Sequence, residues 1–203
     1  MKKFLDLLNE RNPELYTMSR ADVHARELYS IVLKQHEDGR LTRAFIALDE
    51  VKPFDIQLHT HAYSINITAV SGLIRHHIAT PILLNTTCPY TRMPAYRYRS
   101  MLREETVEHR FVRDGIKKVH VEDYYIPPGG SIYLESTDIH TVSCSAKSIW
   151  IIEEGNRVSD DSLFLGIPFN KGTMYRSLVE SPKEVDMCVK YLRETLTNLT
   201  GSV

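Results

Sequence analysis

From residue 41 onward, the chain consists of short β-branched and aromatic segments separated by turn residues, and this pattern constrains the fold more than any other feature. Helical periodicity is missing between most of these segments, which argues against alternating strands and helices. The pattern therefore predicts a mainly β fold, with a single antiparallel barrel of the jelly-roll type. About eight strands are expected, over residues 42–51, 54–70, 72–79, 107–113, 117–126, 130–135, 139–144 and 148–154.

Helical segments are predicted on both sides of the β region. In residues 1–40, one apolar stripe begins at Phe4, and a second follows a capping signal at Ser19 and stops at Asp38-Gly39. These stripes predict two N-terminal helices that pack on the outside of the barrel.

A further helix is predicted over residues 181–199. Ser181, Pro182 and Glu184 form an N-terminal capping pattern for it. Its apolar residues recur at helical spacing and should share one buried face. They are Val185, Cys188, Leu192, Leu196 and Leu199.

The chain of 203 residues is interpreted as one domain. Residues 1–40 form its helical N-terminal extension, residues 41–155 its barrel, and residues 156–203 its C-terminal segment. The Tyr- and Arg-rich stretch 83–105 interrupts the strand pattern and is predicted to be a long loop that covers or binds a ligand.

Composition excludes several classes of protein. With 25 Lys and Arg against 26 Asp and Glu, the net charge of −1 lacks the basic excess typical of nucleic-acid binding. No apolar run reaches the roughly 20 residues of a membrane span, and the N-terminus does not resemble a signal peptide. Three scattered cysteines form neither a disulfide framework nor a CxxC zinc site. We therefore expect a cytoplasmic protein that binds a small molecule, without a nucleic-acid or membrane partner.

Histidines provide the strongest functional signal. His59 and His61 are two residues apart in a predicted strand, so both imidazoles should lie on the same face. Two neutral imidazoles at this spacing can bind one metal ion. A third ligand must come from elsewhere in the chain. His140, at the start of another predicted strand, is the best candidate.

These histidines and the glycines around them resemble the two motifs of the cupin superfamily, whose small antiparallel barrels hold a metal between inner strands. His59, His61 and Gly72 match the first motif, and Gly129 and His140 match the second. The first motif usually has an acidic ligand after the histidine pair. That position falls on Ile65 or Asn66 in this sequence.

Three histidines without a carboxylate are most similar to the thiol dioxygenase branch of the cupins, which binds Fe(II). The resemblance implies a divalent metal held by His59, His61 and His140, with Fe(II) favoured over Zn, Ni or Mn. Two features of that branch are missing: its cysteine after the histidine pair, and a tyrosine near residues 152–157. The resemblance therefore implies the metal site and leaves the substrate open.

Three other side chains are candidates for a catalytic role. Tyr63 should share the face of the histidine pair and could orient a substrate. His76 and His77 are adjacent in a predicted strand, so at most one of them faces the site, and His76 is the candidate. Arg75 could bind a carboxylate or phosphate group.

Three functions remain open from the sequence. The first is a non-haem Fe(II) oxygenase or dioxygenase acting on a small polar or anionic molecule. The second is a non-redox isomerase or epimerase that uses Tyr and His as acid and base. The third is a cupin that binds a small molecule without catalysis. A homodimer is compatible with each of them.

Overall fold

A computed structural model describes residues 1–82, 89–99, 110–166, 176–178 and 181–201. Within these ranges the chain forms two α-helices, one 3₁₀-helix (Pro13–Met18) and thirteen strands. The helices are α1 (Lys2–Asn9) and α2 (Pro182–Gly201). The strands are β1 (Arg20–Ala21), β2 (Leu28–Gln35), β3 (Leu41–Ala47), β4 (Leu58–His59), β5 (Tyr63–Ser71), β6 (Ile74–Pro81), β7 (Thr91–Arg99), β8 (Arg110–Ile126), β9 (Ser131–Leu134), β10 (Ile139–Cys144), β11 (Ser148–Arg157), β12 (Ser162–Leu165) and β13 (Arg176–Ser177).

The strands form two antiparallel sheets, which confirms the mainly β prediction. The first sheet has the order β13-β1-β2-β3-β11-β5-β9. The second has the order β10-β4-β12-β7-β8-β6, and β6 pairs again with β10, so its hydrogen-bonded order closes on itself. Neither helix within the described ranges has the length and apolarity needed to cross a membrane.

The second predicted N-terminal helix is wrong, because the chain forms β2 there. Leu28 to Leu33 are all buried, so this segment needs apolar side chains on both faces. Ile31 points toward the helices, whereas Leu28 packs in the apolar core on the opposite face of the sheet. A strand covered on both faces has a continuous apolar run, which sequence periodicity cannot distinguish from a helix.

The predicted loop over 83–105 is wrong in its central part. Residues 91–99 form β7, which pairs with both β8 and β12. Pro94 lies at an irregularity in the β7–β8 register, where a residue without an N–H is tolerated. The rest of the predicted loop, residues 83–88 and 100–105, lies outside the described residues.

The C-terminal helix is confirmed. Val185, Cys188, Leu192 and Leu196 are buried in the apolar cluster beneath α2. Leu199 is 39% exposed, so the predicted apolar face ends one turn earlier than its pattern indicated.

Both the backbone conformation at position 72 and the atoms around it require a glycine there, the glycine of the first cupin-like motif. Its φ of +83° is a conformation that L side chains rarely adopt. A Cβ atom there would lie 2.8 Å from the Ser148 Cα, a contact that only a backbone shift could relieve. The glycine therefore allows the β5–β6 turn to pack against the start of β11.

Gly72→Ala is expected to lower the free energy of unfolding by roughly 3 kcal/mol, because the backbone strain and the steric clash add. Gly115→Ala is the matched control. Gly115 has a φ of +87°, but a Cβ atom there would meet no other atom within 4 Å, so only the strain of about 1 kcal/mol should remain. Urea denaturation of both variants measures the difference. Equal losses would contradict the close approach at Ser148.

Candidate metal centre

Strand pairing brings His59, His61 and His140 together from distant parts of the sequence. His59 ends β4 and is the register partner of His140 on β10, with ring centroids 5.0 Å apart. His61 follows β4, and its ring centroid lies 4.8 Å from that of His59. One ring nitrogen from each residue lies within 4.8 Å of the other two. We call these residues the three-histidine cluster.

Burial keeps the three-histidine cluster neutral. Burial lowers the pKa of His59, and the hydrogen bond to the Gln57 carbonyl offsets part of this effect. Burial, and then repulsion from the neighbouring histidines, holds the pKa values of His61 and His140 well below the usual range. A neutral imidazole offers the lone pair that a metal ion needs.

The second nitrogen of His59 is fixed by the backbone. His59 Nδ1 lies 2.8 Å from the Gln57 carbonyl oxygen, which can only accept, so Nδ1 carries the proton. The Nε2 lone pair is then available to a ligand. Metal-binding histidines are commonly oriented in this way.

His76 lies beside the cluster. Its ring stacks on that of His140 with centroids 5.5 Å apart and planes inclined by 17°. The side chain is nearly fully buried, and neither ring nitrogen has a hydrogen-bond partner among the described residues. Burial and the neighbouring histidines lower the pKa of His76 to about 4. A buried polar group without a partner is unfavourable, which points to a ligand at this position.

Tyr63 and Arg75 occupy different places. The Tyr63 ring stacks on that of His61 with centroids 5.6 Å apart, so Tyr63, at the start of β5, borders the cluster. Arg75 is half-exposed, and its guanidinium lies 3.9 Å from the Asp123 carboxylate. The structure therefore does not bring Arg75 to the cluster.

Two residues near the cluster were not identified from the sequence. The ring of His24 stacks on His59 with centroids 5.9 Å apart, although it belongs to the N-terminal segment. Gln57 contributes only its backbone carbonyl, for which the sequence carries no side-chain signal.

The donor set fits a divalent metal. His61 Nε2 and His140 Nε2 are 2.9 Å apart. Two nitrogens that bind one ion at about 2.1 Å lie at a comparable separation. Among the residues that the structure describes, these three imidazoles cluster without a carboxylate. Imidazole donors suit Zn, Cu, Fe and Ni better than Ca or Mg.

Metal-free protein is expected to lose stability as the pH falls from about 6.5 to about 4. In this window histidines of the unfolded chain bind protons while the buried imidazoles remain neutral, so the unfolding free energy falls by up to ~1.4 kcal/mol per pH unit for each such histidine. Urea denaturation between pH 7.5 and 4 in a chelator measures the slope. His76→Asn should flatten it. A slope in folded His76→Asn equal to that of the parent protein would contradict the burial of neutral His76.

No protein-family model and no curated protein sequence matches the chain. A comparison with solved structures finds matches over parts of the chain. One is hydroquinone 1,2-dioxygenase PnpCD in complex with Cd2+ and 4-hydroxybenzonitrile, at 12% identity over 62% of each chain and a TM-score of 0.34. Another is hydroxypropylphosphonic acid epoxidase from S. wedmorenis, at 12% identity over 68% of this chain and 55% of that one, with a TM-score of 0.37. A third is L-ribose isomerase from Cellulomonas parahominis with L-psicose, at 12% identity over 90% of this chain and 93% of that one, with a TM-score of 0.35.

The chain spans less than two thirds of the length of the dioxygenase and epoxidase chains. At these identities and TM-scores the similarities assign neither a reaction nor a substrate. The three histidines on which the cupin-like resemblance rests do form one cluster, in a mainly β fold.

Proposed function

We propose that the protein is a metal-dependent cupin that oxidises a small polar or anionic molecule with O₂. The observation that carries this proposal is the three-histidine cluster: three neutral, largely buried imidazoles with no carboxylate among them. The two sheets are proposed as the halves of one cupin-type barrel, with the cluster facing its interior. The homodimer and the cytoplasmic location stay predictions.

Fe(II) is the proposed metal, held by His59, His61 and His140. When bound there, it would supply electrons for O₂ chemistry and a positive charge for an anionic substrate. Because all three ligands are neutral, they do not reduce that positive charge. A thiolate, carboxylate or enolate is therefore the substrate group that this site would favour.

The chain's own side chains are proposed to position the substrate. His76 is neutral and buried, and its ring nitrogens have no partner among the described residues, so it can donate one hydrogen bond to a substrate oxygen. Tyr63 borders His61 and offers an aromatic face and a hydroxyl group. Tyr63 packs against an apolar cluster that includes Ile74 and Val142, which would strengthen these polar interactions by reducing contact with water.

Oxygen uptake by the loaded protein tests the proposed function. Protein purified without added metal is analysed for its metal content, and separate samples are loaded with Fe(II), Zn(II), Ni(II) or Mn(II). Each sample is mixed with panels of small thiols, 2-oxo acids, enediols and sugars. O₂ consumption with Fe(II) alone supports the proposal.

Two outcomes would contradict it. Conversion of a sugar or keto acid without O₂ uptake would favour the isomerase, in which Tyr63 and His76 act as acid and base. Saturable ligand binding with no metal requirement would favour a binding protein.

A further inference from the structure

A second cluster of reactive side chains lies on three adjacent strands. His77 on β6 is the register partner of Asp123 on β8, and Ser143 lies on the neighbouring β10. The His77 Nδ1 atom is 2.6 Å from Asp123 Oδ1, and its Nε2 atom is 2.8 Å from Ser143 Oγ. We call these residues the Ser–His–Asp cluster.

This cluster is separate from the three-histidine cluster. Adjacent residues of a strand point to opposite faces, so His77 faces away from His76, and Ser143 shares a face with Thr141 and not with His140. The two clusters therefore lie on opposite faces of the same sheet, and the Ser–His–Asp cluster needs no metal to form.

The hydrogen bonds orient the serine as a nucleophile. The Asp123 carboxylate can only accept, so His77 Nδ1 donates to it, and in this tautomer the imidazole carries its lone pair on Nε2. The Ser143 hydroxyl then donates to that lone pair, which is the arrangement in which a histidine acts as general base for a serine. The Arg75 guanidinium lies 3.9 Å from the second carboxylate oxygen of Asp123.

A short loop covers this face of the sheet. The Phe54 ring lies 5.8 Å from that of His77, and the Ile56 carbonyl accepts a hydrogen bond from the Thr141 hydroxyl. Phe54 has a φ of +67°, a strained conformation for an aromatic residue, and its side chain is 40% exposed. Ser143 itself is only 7% exposed, so access to it depends on this loop.

Apolar residues continue the face beyond the cluster. Ile139 shares the β10 face of Ser143, and Ala79 shares the β6 face of His77. Both belong to a buried apolar cluster. They lie further along the face than Arg75, which is the register partner of Ser143 on β6.

We propose that Ser143 is an activated nucleophile that takes small acyl esters and reacts with their phosphonate analogues. Ser143 Oγ attacks the ester carbonyl while its proton passes to His77 Nε2. The carbon–oxygen bond to the alcohol then breaks, and the alcohol leaves with that proton. Water hydrolyses the acyl-serine, which releases the acid and restores the hydroxyl.

A fluorophosphonate probe on the full chain tests this proposal. In the corresponding reaction Ser143 Oγ bonds to phosphorus and fluoride leaves, so the adduct is stable and peptide mass spectrometry locates it. The reaction is run in a chelator, so that failure of the metal-site proposal does not affect the result. We expect one adduct per chain, on Ser143.

Four variants make the test specific. Ser143→Ala should remove the adduct, and His77→Ala should slow labelling at least 100-fold, since it removes the general base. Phe54→Ala should accelerate labelling several-fold by opening the cover. Ser145→Ala is the matched control and should label at the parent rate, because Ser145 bonds to Ser148 and Leu73 instead.

Circular dichroism is used to check that each variant is folded. The proposal is overturned if Ser143 forms no adduct in the parent protein and none in the folded Phe54→Ala variant. If folded His77→Ala is labelled at the parent rate, the proposal is also overturned, because the Ser–His–Asp cluster would then be only a structural hydrogen-bond network.

Discussion

Replacing His61 with alanine is expected to reduce bound metal from about one ion per chain to near zero. His61 is the one ligand of the three that follows β4, and its Nε2 lies 2.9 Å from that of His140. Losing one of three protein ligands should weaken binding by at least ~100-fold, since removal of even a supporting group beyond the ligands typically costs 10–100-fold. Elemental analysis and competition with a chelating dye measure stoichiometry and affinity. His140→Ala should give the same result.

His120→Ala is the matched control for this experiment. His120 lies on β8, where its Nδ1 bonds to the Pro89 carbonyl and makes no contact with the cluster. This variant should bind metal with the parent stoichiometry and affinity. A folded His61→Ala protein that retains one tightly bound ion would show that the metal lies elsewhere.

Leu192→Ala is expected to lower the free energy of unfolding by about 2–5 kcal/mol, the range for leucine truncation in a packed core. Leu192 is fully buried between α2 and the first sheet, in the cluster that also contains Phe4 of α1 and Ile31 of β2. The substitution leaves a cavity at the point where both helices meet the sheet. Urea denaturation monitored by circular dichroism measures the loss.

Leu199→Ala is the matched control. It makes the same substitution on the same helix, so the two variants differ in how deeply the leucine is buried. Leu199 is 39% exposed, so its truncation should change stability by less than about 1 kcal/mol. If the two variants are destabilised equally, α2 does not pack as described.

Much of the fold could be predicted because strand ends carry clear turn signals. β10 and β11 match their predicted segments closely, since Asp138 and Ser145–Lys147 mark where they begin and end. β2 could not be distinguished from a helix, because a run buried on both faces has no period of two. β7 was missed because Pro94 and its tyrosines and arginines resemble a loop, and only pairing with β8 and β12 makes them a strand.

The three histidines of the candidate site were identified from local spacing and from the resemblance to a second motif. The strand predicted over residues 54–70 is wrong around His61, however, because β4 ends at His59 and β5 begins at Tyr63. The orientation of Arg75 was not predictable in this way, because strand alternation alone does not say which of two faces meets the other sheet. The Ser–His–Asp cluster depends on register between three strands, and register is a property of the folded sheet.

His61 and His140 are 79 positions apart in the chain, yet their ring nitrogens are in contact. An ion bound between them would cross-link β10 to the segment after β4. Unfolding would then require release of the ion, so the melting temperature should follow the concentration of free metal, with about 1.4 kcal/mol gained for each tenfold increase above the dissociation constant. The concentration of free metal would thus determine the stability of the folded protein as well as its proposed activity.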